Sequence, residues 1–256
     1  MNKVLRSLFC GAALTGALTC ASLAADFTPC ADTLHSLGLF EGTGSGYALD
    51  RAPTRAEAAV MLVRLLGQED AARELTYTAP FTDLAAWEQP YIQYLYDNGL
   101  TQGTSATSWS PKDMCDARMY AAFLLRSLGY SDTAGDFSYT DAAEAAAQLG
   151  VYDLAAVDTE LFNRDDAAAA SYTALAVSPK GEEGMLLDRL TEQGAVDAAA
   201  AAPVKRLFAN YESYRTMTAK TAAALTYKTV VQPTAVKRNG ETVLTLRAED
   251  ATTADT

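Results

Sequence analysis

The chain has 256 residues, 49% hydrophobic and 20% charged, enough for one large globular domain or two small ones and too apolar to be disordered throughout. Its 20 basic and 32 acidic residues give a net charge of −12, and so acidic a chain repels phosphate backbones and anionic lipid surfaces, which argues against general nucleic-acid or membrane-surface binding. A single histidine, His35, excludes any metal cage or acid/base relay that needs two.

At the N-terminus, Lys3 and Arg6 precede an uncharged run from Leu8 to Leu23 that ends in small residues. The pattern predicts a secretory signal peptide over residues 1–24, with Ser22 and Ala24 at the small positions before the cut. The run is short and contains Gly11, Thr15, Gly16 and Thr19, which favours cleavage over a retained anchor. No later stretch approaches the ~18 apolar residues of a membrane span, so the expected mature chain has no transmembrane segment. That mature chain would carry 18 basic and 32 acidic residues, a balance of −14, and two cysteines, Cys30 and Cys115. An even pair in an exported protein can form a disulfide, whereas a reducing habitat would leave two thiols, and both readings stay open.

A first unit follows, through Leu34, Gly38, Leu39 and Gly42 to Thr54-Arg55-Ala56-Glu57. Ala58, Met61, Leu62, Leu65 and Leu66 then fall at i, i+3, i+4, i+7 and i+8, which predicts a helix with one apolar stripe ending at Gly67. Thr54 and Glu57 have the spacing of a capping box, in which each side chain accepts from the other residue's amide. Arg55 opposes the helix dipole, at a cost of a few tenths to about 1 kcal/mol. Beside unoccupied helix amides such a cation makes a site for a carboxylate or phosphate; a solvated or acid-paired surface arginine is the plainer reading of the same residue.

The second unit repeats the order. Trp87, Tyr91, Tyr94 and Leu95 share a helical face closed by Asn98-Gly99, followed by Leu100, Gly103, Trp109 and Pro111. Asp116 then precedes a stripe of Tyr120, Phe123, Leu124, Ser127 and Leu128, with Arg126 near its end and Gly129 after it. A third, weaker unit has Gly150, Val151, Leu161, Asp165 and Asp166, with its second helix read as starting at Tyr172, Leu175 and Ala176 and stopped by Pro179. The equivalent glycines 38, 99 and 150 lie 61 and 51 residues apart. One helix pair cannot bury its own apolar face, but three around a shared centre can. The expected fold is therefore mainly α: a pseudo-threefold helical bundle over 26–178, built from helix-loop-helix repeats at about 26–70, 81–130 and 137–178.

Beyond Pro179, residues 179–225 read as a helical extension, with helices over Met185 to Gln193 and Val204 to Leu225 and a helix-favouring alanine run at 198–202. Residues 226–250 read as a β-hairpin turning at Asn239-Gly240, and 251–256 as a polar tail.

Together, Phe81-Thr82-Asp83, Trp87, Tyr91, Leu95, Gly99-Leu100-Thr101-Gln102-Gly103, Trp109 and Pro111, with Gly38 to Gly42, Tyr47 and Thr54 to Glu57 of the first unit, resemble the S-layer homology domain over about 150 residues. The resemblance implies a three-repeat helical prism that holds an exported protein non-covalently to the bacterial cell wall, without catalysis, cofactor or metal. Its usual ligand is a secondary cell-wall polysaccharide, often carrying pyruvate ketals. It implies that Arg55, within its Thr54 to Glu57 motif, meets a ligand carboxylate, that Gly42 and Gly103 let sugar approach the backbone, and that Trp87, Trp109 and Asp83 line the groove. By helical spacing alone, a tryptophan is more often core. At the motif position the second repeat has Asp116-Ala117-Arg118-Met119 and the third is read as Ala168-Ala169-Ala170-Ser171, so one arginine of three is expected in register. The expected function is a secreted, cell-wall or S-layer associated binding module. An extracellular carrier or adhesion protein acting through its C-terminal part, with the repeats as scaffold, is the alternative; a wall hydrolase comes third, since among 32 acids a carboxylate pair can always be chosen.

Overall fold

The computed structural model describes residues 27–44, 46–154, 157–219, 235–238 and 241–245. The predicted signal peptide at 1–24 and the polar tail at 251–256 lie outside the described residues. Within them the chain is mainly helical: α1 (Thr28–Ser36), α2 (Arg55–Leu65), α3 (Glu69–Arg73), α4 (Gln89–Asp97), α5 (Ala117–Ser127), α6 (Ala142–Gln148), α7 (Arg164–Ala174), α8 (Leu186–Glu192) and α9 (Ala198–Ala219). A 3₁₀ turn at Tyr139–Asp141 precedes α6. No helix among the described residues is long and apolar enough to cross a membrane.

Three short helices, α1, α4 and α6, end the same way, because each is followed by a glycine at positive φ: Gly38, Gly99 and Gly150. The next amide then reaches back in each case: Leu39 N–H to Leu34 O at 2.9 Å, Leu100 N–H to Leu95 O at 2.8 Å, and Val151 N–H to Ala146 O at 2.8 Å. Three longer helices of 11 residues each, α2, α5 and α7, follow after a loop. Thr54 and Glu57 form the capping box of α2, and Asp116 caps α5 by accepting from Met119 N–H at 2.7 Å.

The third long helix corrects the sequence reading. α7 starts at Arg164 after Asn163 in the cap position, and Asp166 accepts from Asn163 N–H at 2.8 Å. Asn163-Arg164-Asp165-Asp166 is therefore the counterpart of Thr54-Arg55-Ala56-Glu57, while Ala168 to Ser171 lie mid-helix and Tyr172 near the end. Two arginines of three are in register.

The packing is cyclic. α4 packs on α2 and α6 packs on α5, so the short helix of one unit lies against the long helix of the unit before it; α1 completes the pattern by packing on α7. The loops follow the same rule. Arg55 N–H and Ala56 N–H donate to Asp113 O and Pro111 O, at 2.8 and 3.1 Å, from the loop before α5. Arg164 N–H and Asp165 N–H donate to Arg51 O and Leu49 O, at 2.9 and 3.0 Å, from the loop before α2. The first amides of α2 and of α7 are thus satisfied by a neighbouring unit. The core holds Leu34, Leu62, Ile92, Leu95, Leu124 and Leu175, all fully buried.

α8 belongs to this body. Its Leu186, Leu187 and Leu190 are buried, and the amides of Leu186 and Leu187 satisfy Val177 O and Leu175 O after the end of α7. Lys180 N–H reaches Leu128 O at 2.7 Å, after α5. α9 starts earlier than expected, with the alanine run as its first turns and Pro203 inside it. Val204, Leu207 and Phe208 are buried, and Phe208 meets Tyr172 edge-on at 5.1 Å. Farther on, β1 (Ala235–Arg238) pairs antiparallel with β2 (Glu241–Thr245), and the rest of the segment read as a hairpin lies outside the described residues.

Candidate functional site

Between the first and second units lies a cleft of about 350 Å³, lined by Arg55 of α2, the 101–104 turn, Met119, Phe123 and Arg126 of α5, and Asp132 and Tyr139 beyond it. Arg55 is 8% exposed. Its guanidinium carbon stands 4.4 Å from the centre of the Trp109 ring, a cation–π contact. Its hydrogen bonds are weak ones, Nη2 to Gln102 O at 3.4 Å and Nη1 to Met119 Sδ at 3.8 Å. Buried Nε has no hydrogen-bond partner, and no carboxylate lies within ion-pair distance of the guanidinium among the described residues. Burial pulls the Arg55 pKa down, against weaker opposing pulls from Cys115, Tyr139, Asp113 and Asp83. The other cation of the cleft is spent: Arg126 grips Asp132 through Nε at 3.0 Å and Nη2 at 2.6 Å. The cleft therefore holds one uncompensated positive charge in a chain of net charge −12.

The helix amides contribute nothing to this site. The first amides of α2 are occupied by Asp113 O, Pro111 O and the Thr54 hydroxyl, so the expectation of unoccupied amides beside Arg55 is corrected. The donor group that the cleft could offer an anion is the guanidinium, whose planar fork suits bidentate bonding.

The other residues singled out in the sequence divide. Thr54 and Glu57 close the α2 cap, and Glu57 also accepts from Arg51. Trp109 is fully buried, with Nε1 donating to Thr101 Oγ1 at 3.0 Å, so it supports Arg55 from below and offers no face to a ligand. Trp87 precedes α4, is 55% exposed and does not line the cleft. Asp83 staples the loop under Arg55, accepting from the Ser108 hydroxyl and from Trp109 and Ser110 N–H at 2.6 to 2.9 Å. Burial works to raise its pKa, but these hydrogen bonds outweigh burial and hold the carboxyl below its usual value.

Gly103 lines the cleft, yet a Cβ there would stand 2.4 Å from the Phe81 ring and 2.5 Å from Ser105 O. At Gly42 it would stand 2.6 Å from Gly46 O. Both glycines serve the close packing of their own turns, because protein atoms fill the space that a Cβ would need. Cys30 and Cys115 are buried thiols with no disulfide between them, and burial pushes both pKa values far above the ordinary thiol range.

Sequence reasoning missed Arg164. It is 4% exposed and sits at the equivalent seam between the third and first units, 5.4 Å from the Phe40 ring centre. Unlike that of Arg55 its Nε is bonded, donating to Tyr47 O at 2.9 Å, while its Nη contacts, to Glu41 O at 3.5 Å and Met61 Sδ at 3.6 Å, are as long as those of Arg55. The Asn163 and Asp166 pair, three residues apart like Thr54 and Glu57, was the available signal. Tyr139 was also missed. Phe137-Ser138-Tyr139 parallels Phe81-Thr82-Asp83, so an aromatic replaces the aspartate at that position.

No family model matches the chain. Over 115 residues it is 28% identical to the middle cell wall protein of Brevibacillus brevis, a stretch that is 44% of this chain and 11% of that protein. It is 29% identical over 115 residues, 43% of this chain and 15% of the relative, to a cell surface protein of Thermoanaerobacter kivui. A third match, 36% identical over 64 residues, is an endoglucanase of a Bacillus species, covering 24% of this chain and 7% of the enzyme. The chain thus spans a small fraction of the curated relatives it matches. These similarities, with a further match to a surface layer protein of Brevibacillus choshinensis (28% identical over 100 residues, 38% of this chain and 9% of that protein), place it at the bacterial cell surface, at the cell wall or surface layer.

Proposed function

We propose that residues 26–178 form an S-layer homology module that holds the chain to an acidic cell-wall polysaccharide, with Arg55 meeting a ligand carboxylate. The observation that carries this reading is the state of Arg55: nine-tenths buried, without an acidic partner among the described residues, its Nε unbonded, at the wall of a cleft of about 350 Å³. An unpaired buried cation is costly, and an incoming anion offsets that cost. The names of two relatives, a middle cell wall protein and a cell surface protein, support the same reading. The endoglucanase match covers 7% of that enzyme, and we read this chain as a binding protein without catalysis.

The test is sedimentation of the full chain with purified cell walls, before and after their polysaccharide is stripped. Binding is expected to vanish on stripping. Arg55→Ala removes one member of a buried charge pair, worth roughly 2–5 kcal/mol, so wall affinity should fall at least about 30-fold. Arg55→Lys keeps the charge without the planar fork and should recover only part of it. Parental binding by Arg55→Ala would remove the site assignment.

A further inference from the structure

We infer that Tyr139 is the aromatic platform of this cleft, receiving the apolar face of the sugar ring that carries the anionic group bound at Arg55. The inference rests on the reading of the cleft as an acidic-saccharide site and adds to it a residue from the third unit. Pyranose rings present C–H faces that pack on aromatic π-faces, so a saccharide site needs an accessible ring near its polar anchor. Trp109 cannot serve, being fully buried beneath Arg55, and Trp87 does not line the cleft. Of the aromatic side chains that do, Phe123 is 2% exposed, whereas Tyr139 is 37% exposed.

Tyr139 is also held in place. It lies on the 3₁₀ turn that packs against α5, and the guanidinium of Arg118 stands over its ring, 5.3 Å from the centre. Arg118 is in turn tethered to Asp116, the cap of α5, at 3.3 Å. A ring clasped on one face by a tethered cation keeps its orientation toward the cleft. Arg55, supplied by the first unit, and Tyr139, supplied by the third, then give two-point recognition across the second: charge at the buried end and ring shape at the mouth.

The experiment measures binding of the full chain, by calorimetry, to soluble pyruvylated polysaccharide released from purified Gram-positive walls. Parent, Arg55→Ala, Tyr139→Ala, Tyr139→Leu and Tyr139→Phe are compared, with circular dichroism to verify folding. A platform predicts about tenfold weaker binding for Tyr139→Ala and Tyr139→Leu, the latter keeping apolar bulk without a π-face, and near-parental binding for Tyr139→Phe. Loss in Arg55→Ala with parental affinity in Tyr139→Ala or Tyr139→Leu would overturn the platform and leave the Arg55 reading standing. An equal loss in Tyr139→Phe would also overturn it, assigning the effect to the hydroxyl. Parental binding by Arg55→Ala would remove the saccharide site itself, and the platform with it.

Discussion

Glu69 shows how a single side chain stores acid sensitivity in this protein. Its carboxylate accepts from Arg64 at 2.8 and 3.0 Å, from Arg73 at 2.6 Å and from the Tyr91 hydroxyl at 2.6 Å. The Arg64 hydrogen bonds lead, burial opposes them, and the Tyr91 bond and both arginine charges assist, so the pKa falls from 4.5 to about 2. A folded-state pKa below the unfolded one stabilises the fold above the unfolded value. That contribution is complete above pH 4.5 and is lost as pH falls from there through about 2. Urea midpoints measured across this range should fall less steeply in Glu69→Gln than in the parent, while Glu69→Gln is less stable at neutral pH. The local pattern of Thr54 and Glu57 was readable because a capping box is complete within four residues. The cleft was not, because Arg55, the 101–104 turn and Tyr139 come from three separate units and meet only through long-range packing.

At the scale of elements, α2 and α5 were legible from apolar stripes closed by glycine, whereas α7 was misplaced. The reason is composition: Ala167, Ala168, Ala169 and Ala170 are all buried, so α7 is apolar on every side and has no stripe to fix its register. Small residues there let neighbours approach from all directions. The helix ends carry a related constraint. Gly67, after α2, has φ +66, and a Cβ on it would stand 2.3 Å from the Cβ of Ala195, just after α8. Gly67→Ala combines left-handed backbone strain of about 1 kcal/mol with a clash against the extension, for an expected total of about 2–4 kcal/mol in urea unfolding. Adding Ala195→Gly should restore the clash component and leave the strain. A double variant no more stable than Gly67→Ala would show that α8 does not press on the end of α2.

For the whole molecule, the two equivalent arginines differ in how they are bonded. Arg55 is poorly bonded and faces a cleft, while Arg164 binds Tyr47 O and Glu41 O and ties the third unit to the first. Arg164→Ala removes the Tyr47 hydrogen bond and empties a buried side-chain site, and should lower stability by about 2–4 kcal/mol, measured by urea unfolding. Wall affinity per folded molecule is expected to stay at the parental level, opposite to Arg55→Ala. A loss of affinity without loss of stability would reverse these roles. The threefold order of helices was visible in the spacing of glycines, but not the exchange by which each short helix leaves its own partner for the preceding unit's long helix. That exchange has a kinetic side. The Phe27 amide donates to the Asp165 carboxylate, 138 residues away, so α1, the first of the described helices, waits for α7 during synthesis. Contacts of such sequence separation slow folding, and until α7 arrives the apolar face of α1 is a surface that chaperones can hold and a neighbouring chain can capture.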